Sequence, residues 1–276
     1  MNSLLQAHQQ KLDYVSWLHQ QAKVLIDPVG ATLTTFGASG PVTVGLYTPA
    51  AFRELSRLWV QVGWSLGYYY DFTWMGLPVL QLSEDLLRLQ EAVFTVRPDL
   101  IIETDVAGGG SLLYLASLCR VLGAGRVIGI DIYIAPQVRS ALTNSFLSPY
   151  ITLIEGNSTS REVFERVTQL HEHGENVMVL LDSDHSKAHV RAELELYAPL
   201  VTPDSYIIAE DGIMRDLRRV PGGAANWLFD NPVAAVWDSL AVHPEFRHHQ
   251  PKPIAGFGAT PVSYWTEGWL QRTHEF

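Results

Sequence analysis

Acidic residues recur at the ends of short apolar segments in this 276-residue chain. They are Glu103, Asp131, Glu155, Asp182, Glu210 and Asp211. If the segments are strands of a doubly wound sheet, ligands bind outside their carboxyl ends, and the acids share one crevice. Carboxylates bind hard dications such as Mg²⁺, Mn²⁺ or Ca²⁺, which activate hydroxyl groups that are poor nucleophiles near neutral pH. For Asp182, Glu210 and Asp211 two interpretations follow: they bind a metal, or they hydrogen-bond to neighbouring loops.

Two histidines follow Asp182 in the stretch LLDSDHSKAHVRAELELY. His185 and His189 are four positions apart, as in a zinc-binding helix, but no Glu follows the first histidine as the H-E-x-x-H motif requires. Because an imidazole titrates near neutral pH, His185 is our candidate general base at the mouth of the sheet. We expect Glu193 to lie on a solvated helix face.

The segment IIETDVAGGGS, residues 101–111, places three glycines between a predicted strand and a predicted helix. Glycines there let the backbone approach a ligand closely and expose N–H groups at the helix start, which favours a nucleotide-like cofactor. The spacing differs from the G-x-G-x-x-G fingerprint, because Asp105 and Ala107 stand where its first two glycines would fall. Asp131, at the end of the next strand, is placed to bind a pair of ribose hydroxyls. The alternative is a tight turn without a ligand.

The elements that must position these residues alternate between strand and helix from residue 82 onward. The predicted strands are LIIE (100–103), VIGID (127–131), ITLIE (151–155), VMVLLD (177–182) and YIIAED (206–211). Near-continuous apolar strands separated by helical patterns are typical of a mainly parallel sheet covered on both faces. We therefore predict an α/β fold and assign residues 81–276 to this domain.

The first 80 residues are less regular. Apolar positions at helical spacing predict an amphipathic helix over residues 3–26, resting on the core or on a partner subunit. Residues 27–48 are rich in Gly, Pro and Thr and are predicted to form a loop, and a second helix is predicted over residues 50–64. The aromatic cluster WSLGYYYDFTWMG either packs in the core or lines a substrate pocket. We expect residues 1–80 to contribute to an acceptor pocket or to oligomer contacts.

Composition disfavours several classes of protein. With 47% hydrophobic residues the chain can bury one substantial core. Its 19 Lys and Arg against 29 Asp and Glu give a formal charge of -10 without any basic run, which disfavours nucleic acid as a partner. The single Cys119 cannot form an internal disulfide, and polar residues interrupt the start of the chain where a signal peptide would be apolar. No apolar stretch has the length of a membrane span, so we expect a cytoplasmic protein without membrane contact.

Six segments together resemble one known family. The resemblance covers residues 58–272 and rests on FTWMGLPVLQLSEDLLRLQEAVFTVRPDLIIETDVAGGGSLLYLASL, VIGIDI, ITLIEGNS, LLDSDHSKAHVRAELELYAPLV, YIIAEDGI and GWLQR. In order, they resemble the cephalosporin hydroxylase and rhamnosyl O-methyltransferase family, which is similar to class I S-adenosylmethionine-dependent methyltransferases. The resemblance implies a Rossmann-like, doubly wound sheet of seven strands with an N-terminal helical extension. It also implies S-adenosylmethionine as cofactor and methyl transfer to a hydroxyl of a sugar or small natural product.

The resemblance implies a set of site residues. Around the cofactor these are Glu103, Asp105, Ala107, Gly109 and Ser111 at the methionine part, Asp131 at the ribose, and Gly156, Asn157 and Ser158 beside the adenine. In the similar catechol-type O-methyltransferases, the metal acids lie at the end of one strand and as an adjacent pair at the end of the next. Asp182 followed by Glu210 and Asp211 agrees with that arrangement. The resemblance therefore implies a hard dication on these three acids, Mg²⁺ or else Mn²⁺ or Ca²⁺, beside the candidate base His185.

Two positions in the glycine-rich loop depart from the family pattern, and Asp105 is the one that introduces a charge. The family generally places glycine where this chain has Asp105, and often a bulkier residue such as His where it has Gly108. A carboxylate there repels the carboxylate of the methionine part or pairs with its ammonium group, and the sequence leaves both open. The departure bears on cofactor affinity more than on the fold, because a βα turn tolerates Asp.

Three functions remain open at this point. The first is a metal-dependent O-methyltransferase, and the second is a related enzyme that uses the same pocket for hydroxylation or rearrangement. The third is a non-catalytic ligand-binding subunit with a disabled cofactor loop. We predict the first, with a small-molecule acceptor in natural-product or polysaccharide tailoring. Similar proteins often assemble into homo-oligomers, so we expect a homo-oligomer.

Overall fold

The computed structural model describes residues 23–37, 39–251 and 262–274. These residues fall into two compact units, with the boundary between them at residue 62, except that Val262 belongs to the first unit. No helix in the described ranges is both long enough and apolar enough to cross a membrane. The roles assigned to residues 1–80 and 81–276 stay predictions.

The first unit contains a three-stranded antiparallel sheet. Its strands follow one another in space as in sequence: β1 Lys23–Asp27, β2 Thr32–Gly37 and β3 Gly40–Gly45. Threonines favour such pairing, and the Thr34 and Thr43 hydroxyls hydrogen-bond across it at 2.8 Å. Helix α1, Pro49–Ser65, follows this sheet and extends into the second unit.

Two predictions for this part of the chain were wrong and one is confirmed. The predicted loop over residues 27–48 forms strands, because its threonines and valines pair across tight glycine turns. The predicted helix over residues 3–26 is wrong where β1 lies, and the rest of that prediction lies outside the described residues. The helix predicted over residues 50–64 is confirmed by α1.

The second unit contains a seven-stranded sheet. A short hairpin precedes it, made of β4 Thr73–Trp74 and β5 Leu77–Pro78. The strands of the sheet are β6 Leu100–Thr104, β7 Arg126–Asp131, β8 Ile151–Glu155, β9 Val177–Leu181, β10 Tyr206–Ala209, β11 Phe246–His248 and β12 Trp269–Arg272. Their order is β11-β12-β10-β9-β6-β7-β8, and only the pairs made by β12 are antiparallel. The predicted mainly parallel, doubly wound seven-stranded sheet is confirmed.

Helices follow most of the parallel strands and flank the sheet. They are α2 Ser83–Val96, α3 Gly110–Leu122, α4 Pro136–Thr143, α5 Arg161–Leu170, α6 Lys187–Tyr197 and α7 Pro232–Leu240. Every residue of the central strands β6 and β9 is buried, as expected for parallel strands with both faces covered. All five strands predicted from apolar runs are present.

The direction of strand addition reverses between β6 and β9. The chain lays down β6, β7 and β8 in one direction and then places β9 on the other side of β6. The Asp182 N–H donates to the Thr104 carbonyl at 3.0 Å, and the Glu210 N–H donates to the Leu181 carbonyl at 3.0 Å. These two bonds align the carboxyl ends of β6, β9 and β10. A reversal of this kind opens a crevice at the carboxyl ends, where doubly wound folds bind ligands.

Candidate active site

A histidine lies between two acids at the carboxyl ends of β9 and β10. His185 Nε2 is 3.4 Å from Asp211 Oδ2 and 3.9 Å from Asp182 Oδ1. Asp182, His185 and Asp211 each offer one ligand atom, and the three atoms lie within 4.8 Å of one another. Asp211 adopts a left-handed backbone conformation, with φ of 51°, directly before a short 3₁₀ turn. The strand ends therefore bring together two of the predicted metal acids and the predicted base.

Glu210 joins this group through a glutamine. The Gln81 Nε2 atom donates to Asp182 Oδ2 at 3.1 Å and also to Glu210 Oε2. The Gln81 Oε1 atom accepts a hydrogen bond from the Trp265 indole Nε1 at 3.0 Å. Gln81, Glu210 and Trp265 are all buried. Glu210, the third predicted metal acid, is thus linked to Asp182 through the Gln81 side chain.

The acids of this cluster are arranged to resist ionisation. Burial, then the charges of neighbouring carboxylates, raise the pKa values of Asp182 and Glu210 well above their usual range. Burial also raises the pKa of Asp211, and the nearby His185 opposes that effect. Carboxyl groups placed so close together cannot all be charged without a compensating cation.

A second pair of acids lies in the glycine-rich loop after β6. Asp105 Oδ1 accepts from the backbone N–H groups of Val106 and Ala107 at 2.9 and 3.3 Å, and Asp131 Oδ2 accepts from the same two groups at 3.1 Å each. Burial and the hydrogen bond to Asp131 raise the pKa of Asp105 to about 7. The pKa of Asp131 is lowered although burial opposes this, because Asp105 and backbone N–H groups donate to it. Asp105 is therefore the more readily protonated of the two carboxyl groups.

The loop glycines have a packing role. Gly109 precedes α3 with φ of 80°, a conformation that side chains disfavour. A Cβ atom on Gly110 would lie 2.3 Å from the Pro78 carbonyl oxygen, so only glycine lets β5 approach the loop. Behind the loop, Glu103 is buried and bonded to Ser111, and burial raises its pKa to about 8.

Two cavities adjoin these acids. The larger, of about 740 Å³, is lined mainly by residues at and after the ends of β6, β7, β8 and β9, together with Met214, Trp227 and Asp230. The smaller, of about 280 Å³, is lined by Asp182 and Asp211 together with four aromatic side chains, Trp64, Tyr69, Trp227 and Tyr264. Asp105 and His185 line both cavities. Together with Ser183, Met214 and Trp227, which also line both, these two residues lie at the junction of the cavities.

A comparison with protein families decides the relationship of this chain. Residues 66–273 match the family model described as Rhamnosyl O-methyltransferase/CmcI, over most of the chain. The chain belongs to this family. The match agrees with the resemblance seen in the sequence.

Individual relatives in this family are moderately similar. The rhamnosyl O-methyltransferase of Mycobacterium leprae (strain TN) is 33% identical over 151 residues, which are 52% of this chain and 64% of that protein. The rhamnosyl O-methyltransferase of Mycobacterium bovis (strain BCG / Pasteur 1173P2) is 29% identical over 165 residues, which are 56% and 64%. The chain thus matches less than two thirds of the length of these relatives. An apo structure of CmcI is 19% identical, covers 75% of this chain and 78% of that chain with a TM-score of 0.50, and so shows the shared fold.

The structure places the predicted site residues of this family member in three groups. The larger cavity is lined by Asp105, Asp131, Gly156, Asn157, Ser158 and His185. The smaller is lined by Asp105, Asp182, His185 and Asp211. Neither is lined by Glu103, Ala107, Gly109, Ser111 or Glu210. The metal, cofactor and catalytic roles of all these residues stay predictions.

The prediction that Glu193 is solvated was wrong. It is fully buried, and its Oε1 accepts a hydrogen bond from Ser183 Oγ at 2.8 Å. His189, one helical turn earlier, places Nε2 3.0 Å from Ser183 Oγ and 3.1 Å from Ser158 Oγ, and its hydrogen bond with Glu193 raises its pKa. The four-residue spacing of His189 and Glu193 was the available signal, because such residues share one helix face. Gln81 left no comparable signal, since its partners are distant in sequence.

Proposed function

We propose that this chain is a metal-dependent S-adenosylmethionine O-methyltransferase that acts on a hydroxyl of a sugar or small natural product. The observation that carries the proposal is the position of His185, which lines both cavities and lies 3.4 Å from Asp211. A base at that junction faces a cofactor on one side and an acceptor on the other. The names of the rhamnosyl O-methyltransferase relatives support this reaction class.

We assign the cofactor to the larger cavity. Its volume suits a nucleoside-sized ligand, and it opens at the strand reversal where doubly wound folds bind nucleotides. Asp131 ends β7, where a carboxylate accepts hydrogen bonds from ribose hydroxyls. Gly156, Asn157 and Ser158 would line the adenine side. When bound, the cofactor supplies an electrophilic methyl group on a sulfonium.

We assign the acceptor to the smaller cavity. Trp64 and Trp227 meet edge to face with ring centroids 5.6 Å apart, and Tyr69 packs similarly on Tyr264 at 6.1 Å. Aromatic walls contact the apolar faces of a sugar or natural product, while a few polar groups fix its orientation. The ionisable side chains in this cavity include Asp105, Asp182, Asp211 and His185. An acceptor hydroxyl that contacts these groups would lie at the junction of the two cavities.

The acids fit a hard dication. Carboxylate oxygens are the donors that Mg²⁺, Mn²⁺ and Ca²⁺ prefer, and a cation would offset the burial and the neighbouring carboxylates that raise the pKa values of Asp182 and Glu210. Asp182, Glu210 and Asp211 would hold it, and when bound it polarises the acceptor hydroxyl. His185 accepts the hydroxyl proton, and Asp211 stabilises the resulting imidazolium. The cavity walls align the hydroxyl with the methyl group and exclude water.

The proposal is tested by methylation of a panel of rhamnosides and hydroxylated natural products, measured by the gain of one methyl group in product mass. We expect activity that a chelator abolishes and Mg²⁺ restores. His185→Ala should lower kcat at least about 100-fold while calorimetry still detects cofactor binding. A product that gains oxygen instead of a methyl group would favour hydroxylation. Pathway output unaffected by His185→Ala and Asp182→Ala would favour a non-catalytic subunit.

A further inference from the structure

We propose that Gln81 is a positioning residue that sets the spacing of two metal acids, Asp182 and Glu210. This inference rests on the proposed function, because it assumes that these acids hold a dication. Gln81 is 4% exposed and its amide nitrogen donates to one oxygen of each acid. A single buried amide therefore connects the end of β9 with the end of β10.

The orientation of the Gln81 amide is fixed by its third partner. The Trp265 indole N–H can only donate, and it lies 3.0 Å from Gln81 Oε1. The oxygen of the amide must therefore face Trp265, and the NH₂ group must face the carboxylates. Both hydrogens of that group are used, one by Asp182 and one by Glu210. Reversing the amide would leave two carboxylates against an oxygen.

A neutral donor suits this place better than a cation would. Lys or Arg between the two acids would neutralise them and compete with a metal, whereas an amide holds their oxygens and leaves their charge. Only one oxygen of Asp182 is bonded to Gln81, and the other, Oδ1, is directed to the His185 side at 3.9 Å. Gln81 thus spaces the acids while leaving their charge available for a metal.

The segment that carries Gln81 is tied to its partner segment at a second point. Asp85 in α2 accepts from Ser263 Oγ at 2.5 Å and from the Tyr264 N–H at 2.8 Å. Together with the bond between Gln81 and Trp265, these contacts fix residues 81–85 against residues 263–265. Gln81 is therefore held by a rigid support, as a residue that orients metal ligands must be.

The test is Mn²⁺ binding to the whole chain, measured by calorimetry and by the electron paramagnetic resonance spectrum of bound Mn²⁺. Gln81→Met keeps the length of the side chain and removes its hydrogen bonds. We expect Mn²⁺ affinity to fall about 10- to 100-fold, the usual effect of removing a group that orients metal ligands. Trp265→Phe leaves Gln81 in place but frees its amide, so a smaller loss of affinity is expected.

Asn176 provides a matched control at the opposite end of the sheet. Its side-chain amide donates to the Val96 carbonyl at 2.7 Å and accepts from Thr202 Oγ1. Asn176→Leu should lower the thermal midpoint in chelator as Gln81→Met does, without changing Mn²⁺ affinity. Parallel loss of affinity in this control would mean that Gln81 acts only through stability, which would overturn the inference.

The other outcomes separate this inference from the proposed function. If the native chain binds Mn²⁺ and Gln81→Met binds it equally well, the role of Gln81 is refuted and the metal site stands. If the native chain binds no Mn²⁺, the metal-dependent reaction fails and the role of Gln81 fails with it. If Gln81→Met does not fold, Trp265→Phe decides, and native affinity in that variant overturns the inference.

Discussion

Asp105 holds a backbone conformation that residues with side chains rarely adopt. Its φ is 102°, in the region that favours glycine, and such strain costs on the order of 1–3 kcal/mol. Its own carboxyl group compensates by accepting from the N–H groups of Val106 and Ala107. The same contacts place the carboxyl beside Asp131, at the junction of the two cavities. A strained residue thus carries a carboxyl group with a pKa of about 7 beside both cavities.

A first prediction concerns the pH dependence of cofactor binding. S-adenosylmethionine carries a sulfonium, so a carboxylate at the junction favours its binding and a neutral carboxyl does not. Because the pKa of Asp105 is about 7, we expect the native chain to bind the cofactor more tightly at pH 8 than at pH 6. Asp105→Asn keeps the size of the side chain and removes its titration. Calorimetry should show equal affinities at pH 6 and native binding up to about 10-fold tighter at pH 8.

A glycine variant provides the second arm of this test. Asp105→Gly removes both the carboxyl group and the backbone strain, so its affinity should also be independent of pH. If native chain and Asp105→Asn diverge at pH 6 instead, the carboxyl acts through its shape or its hydrogen bond to Asp131, and the charge argument is wrong.

At the scale of elements, one face of α6 contacts the loop that follows β8. His189, Glu193 and Tyr197 recur every four residues and therefore share that face. His189 contacts Ser158 Oγ at 3.1 Å, Glu193 holds Ser183, and the Tyr197 hydroxyl donates to the Ser158 carbonyl at 2.8 Å. The helix thus connects the loop that ends β8 with the loop that carries His185.

A second prediction tests this support. Tyr197→Phe removes one buried hydrogen bond, which should cost about 1 kcal/mol of unfolding free energy and lower the thermal midpoint by about 2–4 °C. Because the Ser158 carbonyl loses its donor, we also expect cofactor affinity to fall about threefold, on the order of 0.6 kcal/mol. Tyr206→Phe is the control, since its hydroxyl bonds to His249 beside the edge strands, 2.9 Å away. Equal affinity loss in both variants would contradict a specific role for α6.

The sequence predicted the elements that bury apolar surface and missed those that do not. The runs that became β6 to β10 were recognisable because parallel strands covered on both faces are almost wholly apolar. The sheet formed by β1 to β3 was missed because its threonines and glycines also fit a loop. Gln81 was missed because its hydrogen-bond partners Glu210 and Trp265 are 129 and 184 positions away in the sequence. A local sequence pattern cannot predict such contacts. The strand-end acids were found because fold topology alone brings them together.

At the scale of the whole molecule, the chain carries many acids whose environment opposes their charge. Burial raises the pKa of Asp85 and of Asp216 to about 7, and that of Glu103 to about 8. Such a carboxyl keeps its proton in the folded chain at pH values where the unfolded chain, with a pKa near about 4, has lost it. The folded state then binds more protons, so folding stability falls as the pH rises. The repulsion within a chain of formal charge -10 destabilises the folded state at the same high pH values.

A third prediction follows for the whole chain in chelator. The contribution of these acids is complete below about pH 4 and is lost as the pH rises through the folded pKa values of about 7 to 8. Acids with lowered pKa, such as Glu175, are charged in both states above about pH 5 and add no slope there. The thermal midpoint should therefore decrease between pH 5.5 and pH 8, a range of about two and a half units. Scanning calorimetry at matched ionic strength measures it.

A substitution at Asp85 measures the contribution of one buried acid to the pH dependence of folding stability. Its carboxyl is fully buried, accepts from Ser263 and Tyr264, and titrates near pH 7 in the folded chain. Asp85→Asn cannot titrate, so its unfolding free energy should vary with pH less steeply than that of the native chain, by up to about 1 kcal/mol per pH unit below pH 7. Above pH 8 the two curves should run parallel, because the native carboxyl is then charged in both states. A native chain whose stability does not fall between pH 5.5 and pH 8 would show that these acids are already ionised in the folded state, which would contradict the prediction.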